Sequence, residues 1–328
     1  MIYIFFLFLS FTLTYYIKNY YIKNAILEEI NERSSHTIPT PHGGGVAIAI
    51  VWFLGLIYLN INNQIDTNLF YALSVGVIIS VVSFFDDLYD LSPNIRLVAQ
   101  AVVAVGGLYF LSGLEQLDFS LFSIENQILT NVFAFLLIIW FVNLYNFLDG
   151  INGYAGSEVI FLSLAGFILF GGEHFIVLGV ATLGFLYWNF GNAKIFMGDV
   201  GSTLLGYNVA IFTLYYTNEQ PSNFWIWIIL FGIFWFDATL TLIRRKLNGE
   251  KLSQAHKKHA YQRLNQSGWS HYKVTNWSIM VNLLLFSIVY NISNIFIAFG
   301  CSIIMLYGII IFIDSKKEFI KEKQEDKI

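Results

Sequence analysis

Long apolar runs broken by short polar stretches set the pattern of this 328-residue chain. With about 20 residues needed to cross a bilayer as a helix, they predict spans near 2–17, 46–60, 69–84, 97–113, 128–146, 158–171, 174–190, 200–217, 223–243, 276–291 and 294–313. Backbone groups in lipid must find partners within the protein, which leaves helices or closed barrels. These runs are too long and too uniformly apolar for barrel strands. The expected fold class is therefore all-α: a polytopic integral membrane protein of about 11 transmembrane helices. The first run has no basic lead-in and no small-residue cleavage site, so it reads as an anchor. An odd number of spans puts the two termini on opposite faces.

Composition agrees with this reading. The chain is 56% hydrophobic and 12% charged, with a mean hydropathy of +0.62, against about 25% charged in soluble domains. The expected setting is a membrane, with lipid as a partner and no nucleic acid. Charge then orients the spans. With the C-terminus cytoplasmic and the N-terminus outside, the inside segments 18–45, 85–96, 147–157, 191–199, 244–275 and 314–328 hold all 18 Lys and Arg. The outside loops hold none, but carry Asp66, Glu115, Asp118, Glu125, Glu173 and Glu219. No repeat or second globular domain is visible. The chain reads as one membrane-embedded domain over 1–328, with a long loop at 244–275 and a charged tail at 314–328. The single cysteine, Cys301, reads as a packed small hydrophobe.

Five polar motifs fall on the basic face. Pro39-Thr40-Pro41-His42-Gly43-Gly44-Gly45 opens the second span, where glycine amides can approach phosphate; a plain turn is the bland alternative. Asp86, Asp87 and Asp90 end the third span. At helical spacing one face could carry all three, and a cation between them would offset their repulsion. The alternative is a solvated turn. Asn143, Asn146 and Asp149 recur every third residue at the end of the fifth span, followed by Gly150, Asn152 and Gly153. Asparagine in lipid is costly unless it faces protein or water. Phe196-Met197-Gly198-Asp199-Val200-Gly201-Ser202 opens the eighth span, where Asp199 could cap a helix or bind a ligand. His256, His259 and Arg263 could share one helical face in the long loop and hold phosphate. In that loop the Arg244–Lys246 cluster reads as an anchor beside anionic headgroups. Carboxylates, basic residues and glycine turns together equip a site for Mg²⁺-dependent phosphate chemistry.

These motifs, in this order over nearly the whole chain, resemble the polyprenyl-phosphate N-acetylhexosamine-1-phosphate transferases, glycosyltransferase family 4. The loop His256-x-x-His259-Ala260-Tyr261-Gln262-Arg263 and the stretch Ala193–Asp199 are most similar to the O-antigen-initiating branch. Two departures stand out: Asn152 replaces the family's second acid, and Gly191-Asn192 stand where prolines are frequent. The resemblance implies transfer of a sugar-1-phosphate from a UDP-N-acetylhexosamine to undecaprenyl phosphate at the cytoplasmic face of the bacterial inner membrane, releasing UMP. It implies Mg²⁺, with Mn²⁺ as a substitute, and a homodimer as one arrangement.

On that basis Asp199 and Asp87 are the expected metal ligands. Asp86 and Asp87 serve the cation or deprotonate the lipid phosphate, and Asp149 is the alternative base or nucleophile. Asn143, Asn146, Asn152, His256, His259, Arg263 and Gly44 are the expected substrate contacts. Direct displacement and an aspartyl intermediate both stay open. Two other classes compete. An intramembrane prenyltransferase would carry two Asp-rich motifs, and this chain has one. A transporter would place its acids near the bilayer midplane, whereas here they cluster at one face; Asp237, inside the ninth span, is the exception, either paired with Arg244 or Arg245 or set in the active-site mouth.

Overall fold

The computed structural model describes residues 1–24, 39–252, 254 and 256–320. Arg33 and the end of the tail lie outside the described residues. The architecture is helical throughout, apart from one two-stranded hairpin. The N-terminal half runs α1 (Ile2–Lys23), α2 (Gly45–Ile61), α3 (Thr67–Ser74), α4 (Gly76–Tyr89) and α5 (Pro93–Phe110), then β1 (Leu117–Asp118) and β2 (Ser123–Ile124). The C-terminal half runs α6 (Gln127–Leu148), α7 (Tyr154–Phe170), α8 (Glu173–Asn189), α9 (Asp199–Glu219), α10 (Asn223–Leu230), α11 (Gly232–Leu247), α12 (Ala260–Gln266), α13 (His271–Asn291) and α14 (Ile295–Lys316).

Every apolar run predicted from sequence is helical. By length and hydropathy, six helices among the described residues can cross a membrane, with α3 and α4 joined as Thr67–Tyr89, or seven if α10 and α11 form one span bent by 75°. The shorter α2 and α7 are apolar too. Local chemistry fixes the starts. Asp66 accepts from Leu69 N at 2.9 Å, Asn126 from Ile128 N at 3.1 Å, and Asn294 from Phe296 N at 3.0 Å, each satisfying an otherwise orphaned amide. At the α10–α11 bend the indole of Trp235 donates to the Ile228 carbonyl at 2.6 Å. That bond satisfies a backbone group at a break in the helix, as an apolar setting demands.

Helix α9 is the hub. Residues Val200–Leu214 are all buried, and α2, α3, α4, α6 and α10 pack around it. Two close approaches depend on missing side chains. A Cβ on Gly206 would stand 2.5 Å from the Phe141 carbonyl of α6, and one on Gly45 would stand 2.2 Å from the Gly201 amide of α9. Small residues let membrane helices approach closely enough for dispersion to hold them. Gly44 and Gly45 donate to the carbonyls of Phe196 at 2.9 Å and Met197 at 2.8 Å. The N-termini of α2 and α9 are thereby fastened together.

Two of the three residues read as a headgroup anchor, Arg244 and Arg245, are used inside the protein, while Lys246 stays exposed. Arg245 is 1% exposed; it pairs with Glu250 at 3.1 Å and donates to the Lys251 carbonyl at 2.7 Å. Lys258 meets the same Glu250 at 2.7 Å. Arg244 forks onto Asp314 at 3.0–3.1 Å. Asp237 pairs with neither arginine: its two oxygens accept from Ala260 N at 2.8 and 2.9 Å, which fixes the start of α12. Helix α12 begins only at Ala260, so His256 and His259 do not share a helical face with Arg263. Helix α4 likewise stops at Tyr89, leaving Asp90 an exposed left-handed cap at φ 49° rather than a third carboxylate on one face. Cys301 is exposed on α14, not packed.

Two predictions follow from this frame. Gly45→Ala forces a methyl group onto α9 backbone that cannot move aside; unfolding in detergent should shift by roughly 1–3 kcal/mol, the usual cost of overpacking. The second concerns pH. Burial first, then the positive neighbours His259, Arg245 and Lys258, push His256 down from 6.5 to about 3, against a weaker opposing pull from Asp237. Burial raises Glu250, but hydrogen bonds from Lys258 and Arg245 outweigh it and hold the carboxyl below its ordinary value. In both cases the unfolded chain binds the proton more readily. Stability is therefore lost as pH falls, for His256 from about 6.5 downward. Melting curves at about pH 7 and about pH 5 should show a larger drop for wild type than for His256→Gln.

Candidate active site

The helix ends converge on one cavity of about 310 Å³. Helix α4 delivers Ser83 and Asp86 to it, α5 delivers Arg96 and Gln100, α6 delivers Asn143, Asn146 and Phe147, and α9 delivers Asp199 and Thr203. Ile79, Val82 and Leu97 supply an apolar flank. A polar floor with one greasy wall suits a ligand that is charged at one end and hydrocarbon at the other.

Asp86 is 9% exposed. One oxygen accepts from Leu91 N at 2.8 Å, and the other lies 3.3 Å from Arg96, whose side chain is 43% exposed. The guanidinium is thus tethered on one side and open on the other. Asp199 is the first residue of α9, where the helix dipole favours negative charge. The cap itself is Gly198, at φ 75°, so Asp199 does not cap the helix. Its Oδ1 accepts from Asn146 at 2.8 Å, and Asn146 also donates to Ser202 at 3.0 Å. Asp86 repels the Asp199 charge, while Arg96 and His42 attract it. Asp87 turns toward the other side of Asp199 and reaches its backbone amide at 3.4 Å.

Sequence placed eleven residues at the site, and the structure sorts them. Asp86, Asp199, Asn143 and Asn146 line the cavity, with Asp87 beside it. Asn143 is locked to Gln100 by a reciprocal amide pair at 2.7 and 3.2 Å. Asp149 does not line the cavity; it lies near the buried hydroxyl of Tyr261, which donates to the Phe147 carbonyl at 3.1 Å. Gly44 spends its amide on Phe196 and so holds backbone rather than phosphate. Asn152 donates to Gly191 at 2.7 Å and lines a separate pocket of about 390 Å³ with His271 and Tyr272. His259 is 3% exposed, 3.6 Å from Asp237, and stacks on Phe147 at 6.4 Å. His256 lies behind it at 4.8 Å. Arg263 points away, into Asp314.

Four participants escaped the sequence reading: Arg96, Gln100, Ser83 and Thr203. Ser83 and Thr203 share a hydrogen bond at 2.9 Å that ties α4 to α9 beneath the two acids. Arg96 had a usable signal, being the lone basic residue of the inside segment 85–96. His42 stood in a motif without a role; its Nδ1 is buried with no hydrogen-bond partner among the described residues, and Tyr21 packs edge-on against it at 5.8 Å.

No group of three His, Cys, Asp or Glu side chains among the described residues is arranged to hold a metal ion by itself. Mg²⁺ is usually held by one or two carboxylates and completed by substrate phosphates, and Asp199, with Asp87 at its backbone amide, offers carboxylates of that kind.

Comparison with known proteins fixes the family. The glycosyl transferase family 4 profile matches residues 69–217, a span that contains Asp86, Arg96, Asn146 and Asp199. A Bacillus subtilis (strain 168) protein named a probable undecaprenyl-phosphate N-acetylglucosaminyl 1-phosphate transferase is 31% identical, over 90% of this chain and 85% of its own length. The undecaprenyl-phosphate alpha-N-acetylglucosaminyl 1-phosphate transferase of Thermotoga maritima is 26% identical, over 87% and 86%. A phospho-N-acetylmuramoyl-pentapeptide-transferase of Streptococcus pneumoniae is 29% identical, over 76% and 85%. With that identity sustained along nearly its full length, the chain belongs to glycosyl transferase family 4, among the polyprenyl-phosphate N-acetylhexosamine-1-phosphate transferases.

Proposed function

We propose that the protein transfers an N-acetylhexosamine-1-phosphate from its UDP-sugar to undecaprenyl phosphate, and so starts a lipid-linked surface polysaccharide such as an O-antigen. The carrying observation is the cavity itself: Asp86, Arg96 and Asp199 share one wall-to-wall space whose flank is apolar. Two of the relatives named above are named as undecaprenyl-phosphate N-acetylglucosaminyl 1-phosphate transferases, which supports the lipid acceptor. The segregation of Lys and Arg supports a cytoplasmic site in an inner membrane crossed eleven times.

In this reading an oxygen of the lipid phosphate attacks the sugar-linked phosphorus, the bond to the UMP oxygen breaks, and UMP leaves. Arg96 receives the lipid phosphate, since its guanidinium is open toward the cavity and always charged. Asp86 fixes the direction of that guanidinium. Asn146 aims Asp199, and Thr203 and Ser83 keep α4 and α9 in register beneath. Asp199 and Asp87 would hold Mg²⁺ or Mn²⁺, which supplies charge neutralisation on the diphosphate when bound. Asn143 stiffens the wall through Gln100, and Asn152 offers a second polar pocket to the donor.

The test is UMP release from a panel of UDP-N-acetylhexosamines in membranes holding the full chain with undecaprenyl phosphate. Wild type should release UMP. Asp199→Asn keeps the size and the Asn146 contact but removes the charge, so turnover should fall by roughly a hundredfold or more. EDTA should abolish release and Mg²⁺ should restore it. Undiminished turnover of Asp199→Asn would remove that carboxylate from the chemistry.

A further inference from the structure

The last turn of α14 and the residues after it form a C-terminal segment that is tied into the loop behind the cavity. Arg263 is 3% exposed, and both hydrogen bonds of its guanidinium among the described residues go to this segment: one to the Asp314 carboxylate and one, at 3.0 Å, to the Lys317 carbonyl. Arg244, from α11, forks onto the same carboxylate at 3.0 and 3.1 Å. The ring of Phe319 then sits among three cations: Arg244 and Arg263 at 5.4 Å each and Lys258 at 5.9 Å from its centroid. Three like charges gathered from separate elements repel one another. One carboxylate and one aromatic quadrupole from the C-terminal segment offset that repulsion, and Glu250 takes a further share at Lys258.

The consequence reaches the cavity along α12. Arg263 sits on the same short helix as Tyr261, whose hydroxyl holds the Phe147 carbonyl at 3.1 Å. His259, at the start of that helix, stacks on the Phe147 ring. Phe147 lines the cavity next to Asn146, which aims Asp199. Without its partners Arg263 would be a buried unpaired charge, and α12 would have to shift to release it. We propose that Asp314 and Phe319 are positioning residues for catalysis: the C-terminal segment latches α12, and α12 props the Phe147 wall of the active site. The kinetic side of this proposal rests on the transfer reading above; the structural side does not.

The experiment uses four variants of the full chain, with kcat and KM for UMP release and hydrogen exchange of the amides in 256–263. Phe319→Ala and Phe319→Leu should each lower kcat roughly tenfold, with KM for the UDP-sugar little changed, and speed exchange in 256–263. Phe319→Trp, which presents a stronger quadrupole to the same cations, should keep wild-type kcat and protection. Glu318→Gln, on the exposed neighbour, should match wild type. Leucine fills space without a quadrupole, so a Phe319→Leu protein equal to Phe319→Trp would reduce the contact to packing and overturn the proposal. So would undiminished kcat and protection in Phe319→Ala, or a kcat that rises, since the segment would then restrain the site. If wild type itself releases no UMP, the transfer reading falls and the exchange data alone decide the latch.

Discussion

Everything at the site depends on a helix that has no lipid-facing side. Helix α9 is buried along most of its length, and its N-terminus can enter the bundle only if something meets its unpaired amides. Asp87 meets one of them, at the backbone of Asp199. The Gly45–Gly201 contact brings α2 against the same end. From this one constraint the rest is placed. The acid at the first position of α9 lies where α2, α4 and α6 also have an end, and each of those ends carries a polar motif. A methyl group at Gly45 is therefore felt at Asp199 as well as in stability.

The acids are then sorted by what holds them. Asp86 is tied to a partly exposed cation, Asp199 to a neutral amide, and Asp237 to a backbone amide. The first leaves charge available to an incoming phosphate, because Arg96 keeps an open face. The second meets Asp199 with a dipole rather than a full charge, which suits a cation-dependent site. The third is fully used in starting α12, so Asp237 is structural despite lying within a span. Intramembrane carboxylates read as functional by default; here the partner, not the depth, separates the roles.

Sequence was informative where chemistry and chain position coincide. The spans were legible because lipid imposes a length and a composition, and all eleven runs are helical. Asp86, Asn146 and Asp199 were legible because each interrupts an apolar run at its end. What sequence could not show was direction. Arg263 stands four positions after His259, a spacing that suggests a shared helical face, yet the helix begins between them. Asp237 decides that start from 23 residues away, through Ala260 N, and no local pattern encodes it. Gly44 failed for a related reason: a glycine turn frees an amide for phosphate only if no carbonyl claims it, and Phe196 does. Gln100 and Thr203 escaped because a polar residue in a span has no local sign of which neighbour it will meet.

The histidine loop links these two kinds of information. Its basic residues looked like a phosphate cradle because they are concentrated, but concentration of like charge has to be offset before it can be used. Glu250 offsets Arg245 and Lys258, and Asp314 offsets Arg244 and Arg263. Those four cations are taken up in holding the loop closed, and Arg96, from a different helix, is the cation that lines the cavity. A loop built from paired charges holds its shape only while its carboxylates stay ionised and His256 stays neutral, so the wall it supports behind Phe147 is firm at neutral pH and weakens in acid. The same pairing explains why the loop can be both strongly basic and buried: each cation enters with its partner already beside it.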